Sequence, residues 1–277
     1  MVTFEVVETL GAGSFGVVTK NKTPTSRSYY NEHKFIAIKR IKVSNDPEAK
    51  NEVKLLSKLR HKHIVQYLEH FEDANKKDLC IVMEFCNRGT LTDFIRKNAF
   101  PVPEWNVWRI IGLISSGLKY LHNQRPSIIH CDLKPDNIFC NQPEGHDVNL
   151  KIGDFGISKI LGRKAMEVYY TRDVGGTICY MAPGAFSEDR KTTGMDMWSL
   201  GAIISAYCNR GRHLFRGAEE VCDWEGGKST LDRATYDIGL RQMTADLMYP
   251  TASLRPTASK VCEESCKGNR TVNPDSE

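Results

Sequence analysis

The hydrophobic period of this chain changes once, near residue 86, and that change constrains the fold more than any single motif does. Before it, short runs rich in β-branched and apolar residues recur at Phe4 to Leu10, Val17 to Lys20, Phe35 to Val43 and Leu79 to Phe85. Separated by glycines and polar residues, such runs predict the strands of a small antiparallel sheet. One helix interrupts them, with Asp46 as its cap, Pro47 in its first turn and Val53, Leu56 and Leu59 on one face. The polar stretch from Asn21 to Lys34, with Pro24 inside it, reads as an exposed hairpin loop. Asn87, Arg88 and Gly89 break the pattern, and the repeat then lengthens. Val107, Trp108, Ile111, Ile114, Leu118 and Leu121 fall on one stripe of a long helix, and Met195 to Cys208 is apolar enough to predict a buried one. The expected class is α+β: a small β lobe carrying one helix, then a larger, mainly α lobe. Residues 265–277 are polar and are expected to form a flexible tail.

A chain of 277 residues, 40% hydrophobic and 26% charged, can build a real core in one large domain or two packed lobes, and it excludes collagen-like or disordered classes. With 38 basic against 34 acidic side chains the net charge is +4, too slight to mark a nucleic-acid partner. No long uncharged apolar run exists, and Glu5 and Glu8 occupy the place where a signal peptide needs an apolar stretch. The expectation is a protein with no membrane partner, located in the cytoplasm, the nucleus or both. The nine cysteines include no C-x-x-C pair and read as scattered reduced thiols, with Cys262 and Cys266, four apart, as the one alternative metal pair. The N-x-T sequons at Asn21 and Asn269 read as chance matches.

Gly11, Gly13 and Gly16 form G-x-G-x-x-G, with Ala12, Ser14 and Phe15 between them. Alone this is a weak signal, and its context decides its type. A dinucleotide-binding loop opens a helix, whereas Val17, Val18 and Thr19 favour a strand, so the segment reads as a hairpin folded over phosphates. Without Cβ atoms the backbone N–H groups can approach phosphate oxygens, and Phe15 at the tip can shield them from water.

Lys39 follows Ile36, Ala37 and Ile38, and strand alternation puts Ala37 and Lys39 on one face, with Glu52 on the next helix as a carboxylate able to hold the amine. By itself that pair reads more readily as solvated surface charge. The strongest local signal is His130-Cys131-Asp132-Leu133-Lys134-Pro135-Asp136-Asn137. Asp132 can accept a proton from an attacking hydroxyl, Lys134 can reach a transferred phosphoryl group, and Asn137 can offer a carbonyl to a metal. Asp154, in Asp154-Phe155-Gly156, adds an anionic oxygen suited to Mg²⁺. Any one of these strings alone could equally be a capped turn.

In this order the glycine loop, Lys39, Glu52, the Asp132–Asn137 segment and Asp154 resemble the eukaryotic protein kinase family, from about Phe4 to Val261. Ala182-Pro183, Asp196-Met197-Trp198 and Leu254-Arg255-Pro256 agree, and Lys134 with Thr177 matches the serine/threonine-specific branch. The resemblance implies a two-lobed catalytic domain over 4–264 (N-lobe 1–83, hinge 84–88, C-lobe 89–264), binding ATP and Mg²⁺ and acting on protein Ser and Thr hydroxyls. It implies catalytic roles for Asp132, Lys134, Lys39, Glu52 and Thr177, and metal binding by Asn137 and Asp154. ATP would lie between the Gly11–Gly16 loop, Val18, Ala37, Lys39 and Phe139, with Met83 as gatekeeper and Glu84, Phe85 and Cys86 reading adenine through backbone groups. Leu56, Tyr67, His130 and Phe155 would stack through both lobes, and Asp196 would receive backbone N–H groups of the catalytic loop.

Two residues depart from the family pattern. Cys131 stands where many kinases have an arginine that pairs with an activation-loop phosphate, which predicts weaker dependence on phosphorylation of that loop. Gly184 stands where a glutamate would pair with Arg255, leaving that arginine in need of another partner, such as Glu188. These departures are the only support for a runner-up, a nucleotide-binding pseudokinase scaffold. A small-molecule phosphotransferase fits less well, because such enzymes generally lack the segment around Thr177 and Ala182-Pro183.

Overall fold

The computed structural model of the protein describes residues 4–13, 16–23, 34–42, 49–73, 78–97, 99–155, 159–160, 178–186 and 192–272. The expected cap at Asp46 and Pro47, most of the Asn21–Lys34 loop, and Ser14, Phe15, Thr177 and Glu188 lie outside these residues.

Five strands make the N-terminal sheet: β1 (Val6–Gly13), β2 (Gly16–Lys22), β3 (Phe35–Lys42), β4 (Tyr67–Asp73) and β5 (Asp78–Glu84), antiparallel in the order β1-β2-β3-β5-β4. The alternation in β3 decides what each face does. Ile36 and Ile38 point into a small cluster with Leu68, Cys80 and Val82, with Phe4 and Phe71 packed on it. On the other face Ile41, Leu79 and Ile81 join the main core, together with Val53 and Leu56 of α1 (Ala49–Leu56) and Leu59 just past its end. Phe35 to Val43 alternates apolar with basic residues in sequence, and Ile36, Ala37, Ile38 and Ile41 are the apolar positions that it buries on its two faces.

The C-terminal part contains α2 (Leu91–Lys97), α3 (Glu104–His122), α4 (Gly194–Cys208), α5 (Ala218–Cys222), α6 (Ile238–Leu247) and α7 (Ala258–Val272). Two small ladders sit among them, β6 (Ile128–Ile129) with β9 (Lys159–Ile160), and β7 (Ile138–Asn141) with β8 (Asn149–Ile152). The expected α3 stripe is buried, and α4 is buried from Met195 to Cys208. The α+β class and the division into a β-rich and a helix-rich part are thus as the period change predicts.

The expected tail does not begin at residue 265. Helix α7 continues to Val272 and packs along α3: Ser265 is buried, and a Cβ at Gly268 would come within 2.5 Å of the Trp108 ring. Small residues there allow close approach of the two helices, so a stretch that looks polar in sequence is an interface. The Asn21 side chain is fully buried and donates to Thr19, so that sequon is not a glycosylation site. Among the described residues no helix is long and apolar enough to cross a membrane.

Candidate active site

The glycine segment is a strand hairpin, with Gly13 opposite Gly16 in the β1–β2 ladder. Gly16 has φ +116°, and a Cβ there would fall 1.9 Å from the Arg40 carbonyl oxygen, so the fold itself demands glycine. Gly11 differs, because a Cβ would meet nothing within 4 Å. Leu10, at a bulge in β1 and 45% exposed, offers apolar surface beside it that motif reading overlooked.

Cross-strand register puts Val18 opposite Lys39 and Ala37 opposite Met83, so these four share the sheet face that looks toward the C-terminal part. Phe139, partly buried on β7, pairs with Thr90 through an isolated bridge. Beyond β5 the chain runs through Phe85 and Cys86 without regular secondary structure before turning at Asn87 and Arg88. The N–H and C=O of Cys86 make no hydrogen bond among the described residues, although the residue is buried. Buried backbone groups are ordinarily paired with protein, water or a ligand, and this pair is open to one of the latter two.

The Glu84 side chain points elsewhere. Its Oε1 accepts from Lys151 Nζ at 2.8 Å and from the Gln66 N–H at 2.7 Å, tying the end of β5 to β8. Sequence gave no hint of Lys151, since alternation with buried Leu150 and Ile152 makes it look like an outward-facing lysine. Two backbone bonds, from Val65 N–H to Ile152 O and from Ile152 N–H to His63 O, fasten the same strand to the segment before β4.

Lys39 Nζ lies 2.9 Å from Asp154 Oδ1, joining β3 to the segment after β8. Burial opposes ionisation of Asp154, but the adjacent ammonium outweighs it and holds the carboxyl below its ordinary value. The Glu52 side chain, named from sequence as the partner of Lys39, lies outside the described residues. Asp154 has φ +58° and Cys131 φ +68°, left-handed conformations that cost on the order of 1 kcal/mol in residues with a Cβ.

At Cys131 the unusual turn presents two successive amides to one carboxylate: His130 N–H donates to Asp196 Oδ2 at 2.9 Å and Cys131 N–H to Oδ1 at 3.0 Å. His122 Nε2 donates to the same Oδ2 at 2.8 Å. His122 continues the apolar stripe four residues after Leu118, which is the sequence signal for an inward-facing imidazole. Burial works against the Asp196 charge, yet these donors keep its carboxyl below the ordinary range.

The segment from Asp132 to Asn137 then assembles around the Asp132 side chain. The Asp132 N–H donates to His130 Nδ1 at 3.3 Å, while Nε2 of that ring donates to the Gly153 carbonyl at 2.9 Å, and the ring lies 5.0 Å from that of Phe155. Phe155, Leu56 and Tyr67 belong to one continuous core. Asp132 Oδ2 accepts from Lys134 Nζ and from Asn137 Nδ2, each at 3.0 Å, and Asn137 Nδ2 also donates to the Asp132 carbonyl at 2.7 Å. Oδ1 of Asp132 is buried and has no partner among the described residues.

With its amide nitrogen turned to Asp132, Asn137 keeps its side-chain oxygen for another partner, and Asp154 Oδ2 carries no hydrogen bond among the described residues. Gly153 N–H donates to Asn137 O at 3.0 Å, so the two oxygen-bearing residues are neighbours. A few hard oxygen donors beside lysines suit a phosphate-bound Mg²⁺, which takes most of its shell from phosphate and water.

Among the described residues Arg255 is satisfied by backbone carbonyls, while Glu188, the acid suggested by the sequence, lies outside them. Nε, Nη1 and Nη2 donate to the carbonyls of Tyr249, Gly194 and Pro250 at 2.7, 2.7 and 2.8 Å, and the guanidinium lies over the Trp198 ring. Burial pulls its pKa down to about 10.

A two-part fold that brings a glycine hairpin, a buried lysine, a carboxylate with one free oxygen and a pair of metal-suited oxygens to its junction defines a phosphotransferase architecture. Residues 4–266 match the protein kinase domain family. The chain is 34% identical over 210 residues to the probable serine/threonine-protein kinase nek2 of Dictyostelium discoideum, covering 73% of this chain and 47% of that protein. It is 30% identical over 216 residues to the serine/threonine-protein kinase Nek2 of Homo sapiens, covering 74% and 46%. It is 30% identical over 236 residues to the G2-specific protein kinase nimA of Emericella nidulans, covering 75% and 32%. The chain belongs to the eukaryotic protein kinase family, in its serine/threonine branch, and spans less than half the length of these relatives.

Proposed function

We propose that this chain transfers the γ-phosphoryl group of ATP to serine or threonine hydroxyls of protein substrates, with Asp132 as the proton acceptor. The observation that carries the reading is the divided carboxylate of Asp132: Oδ2 is held by Lys134 and Asn137, and buried Oδ1 has no partner among the described residues. A buried carboxylate oxygen without a donor is costly, and the hydroxyl of a bound acceptor supplies the donor. As the acceptor oxygen bonds to the γ-phosphorus and the bond to the bridging oxygen breaks, the hydroxyl proton passes to Asp132 Oδ1 and the electron pair leaves with the diphosphate.

Lys39 and Lys134 bring positive charge to the phosphates, and the glycine hairpin leaves room for them above Gly11. The unpaired backbone groups of Cys86 fit an adenine edge, between Ala37 and Val18 on one side and Phe139 on the other. Mg²⁺ held by Asp154 and Asn137 supplies neutralisation of phosphate charge. The catalytic domain is read as 4–264, with 84–88 as the hinge. No observation favours a scaffold without transfer, since each expected phosphate, metal and base position that is described carries a suitable group.

The test is transfer of label from γ-labelled ATP to a generic basic protein. The parent chain is expected to transfer, and Asp132→Asn to lose roughly 10² to 10⁴-fold while still binding nucleotide. Equal rates in the two proteins would refute the assignment of the base.

A further inference from the structure

A cavity of about 490 Å³ opens on the helical lobe, away from the nucleotide groups, between the C-terminal end of α2, the loop at 99–102 and the C-terminal end of α4. Its size is that of a small-ligand or side-chain pocket. Ile95, Val102 and Tyr207 give it apolar walls, and Phe100, 41% exposed, stands at its mouth. Tyr207 is fixed, because its hydroxyl accepts from Asn106 Nδ2 at 3.0 Å and its ring stacks on Phe94.

Two guanidinium groups line the same cavity, those of Arg96 and Arg210, and neither forms an ion pair among the described residues. Asp93, on the same helix as Arg96, has Oδ2 committed to the N–H and hydroxyl of Thr90. An exposed arginine is ordinarily a solvated charge. Arg210 is set apart by how it is held. It follows the end of α4 with φ +57°, Gly211 follows with φ +76°, and Gly211 N–H caps Ala206 O at 2.8 Å. This left-handed turn delivers the guanidinium over the Phe100 ring, 4.5 Å from its centroid, with its N–H donors unspent. A stacked, pre-positioned guanidinium and a second arginine lining a hollow with apolar walls are complementary to carboxylates flanking an apolar side chain.

We propose that this cavity docks an acidic segment of the protein substrate, with an apolar side chain in the hollow and neighbouring Asp or Glu carboxylates on Arg96 and Arg210. Helix α2 also packs on the Pro135–Asn137 turn, so a substrate anchored here is held on the same rigid part as Asp132. The occupant's identity as a substrate rests on the kinase reading; the binding itself does not.

The test separates the two. Binding of the intact chain is measured against a pool of labelled peptides in which a central Leu or Phe is flanked by Asp/Glu or by Lys/Arg, without ATP. Acidic peptides are expected to be enriched, with affinity falling as salt rises, and the double variant Arg96→Gln/Arg210→Gly is expected to lose at least about tenfold. Glycine suits the φ of Arg210, so the variant should melt no lower than the parent. No acidic enrichment, enrichment unchanged in the double variant, or self-association of the chain abolished by that variant would overturn the proposal. Acidic binding in a chain that transfers no phosphate would leave the pocket standing and count against the kinase reading alone.

Discussion

Breaking the Glu84–Lys151 pair should cost far more than an ordinary surface ion pair. The two side chains are 6% and 12% exposed, and Glu84 retains only the Gln66 N–H if the lysine is removed. In Lys151→Met the apolar stem is preserved and the charge is lost, so a buried carboxylate is left with one donor. Removing one partner of a buried pair costs on the order of 3 to 5 kcal/mol, and partial access of water to Lys151 argues for the lower end, about 3 kcal/mol. At roughly 2 to 4 °C per kcal/mol for a domain of this size, the melting temperature should fall by about 6 to 12 °C. The assay is thermal unfolding followed by circular dichroism, with urea unfolding as a second measure. Glu84→Gln placed on top of Lys151→Met removes the stranded charge and keeps an acceptor for Gln66, so the double variant should recover more than half of the loss. A single variant within about 1 kcal/mol of the parent, or a double variant no better than the single, would show that the pair is not what fastens β5 to β8.

His63 supplies a pH test. It is 4% exposed, its Nδ1 donates to Leu150 O at 3.1 Å, and burial lowers its pKa from 6.5 to about 4. The unfolded chain therefore takes up this proton first. Stability should be full above about 6.5 and decline as pH falls toward 4, and His63→Gln should flatten the melting-temperature profile over that window; identical profiles would refute the assignment. Gly184 lies in a 3-10 turn, where a Cβ would meet nothing within 4 Å. Gly184→Ala should stabilise by roughly 0.5 to 1 kcal/mol through the unfolded chain alone. Gly184→Glu should exceed Gly184→Ala only if the carboxylate reaches Arg255, and equal melting temperatures would mean that the three carbonyls already satisfy the guanidinium.

Much of this architecture was legible because it rests on periodicity and on covalent spacing. The α3 stripe, the buried run of α4 and the strand that follows the glycines are local patterns, and the six residues from Asp132 to Asn137 are close enough in sequence for one turn to bring the Asp132, Lys134 and Asn137 side chains together. What was not legible depends on partners far along the chain. Lys151 looks solvent-facing until Glu84 is brought beside it, and Arg255 looks stranded until the carbonyls of Gly194, Tyr249 and Pro250 converge on it. The end of α7 was misjudged for a related reason. Ser265 and Gly268 are small because Gly112 and Trp108 lie against them, and polarity alone cannot distinguish that from solvent exposure.

Asp196 gives the large lobe a further property. The carboxylate that grips the amides of His130 and Cys131 stands on α4, the helix most insulated from water, whereas Lys39 rides on the sheet. On the proposed function, Lys39 and the proton acceptor Asp132 therefore stand on different parts of the fold, and substitutions deep inside α4 are expected to lower transfer together with stability, because they disturb the carboxylate that holds the amides beside Asp132.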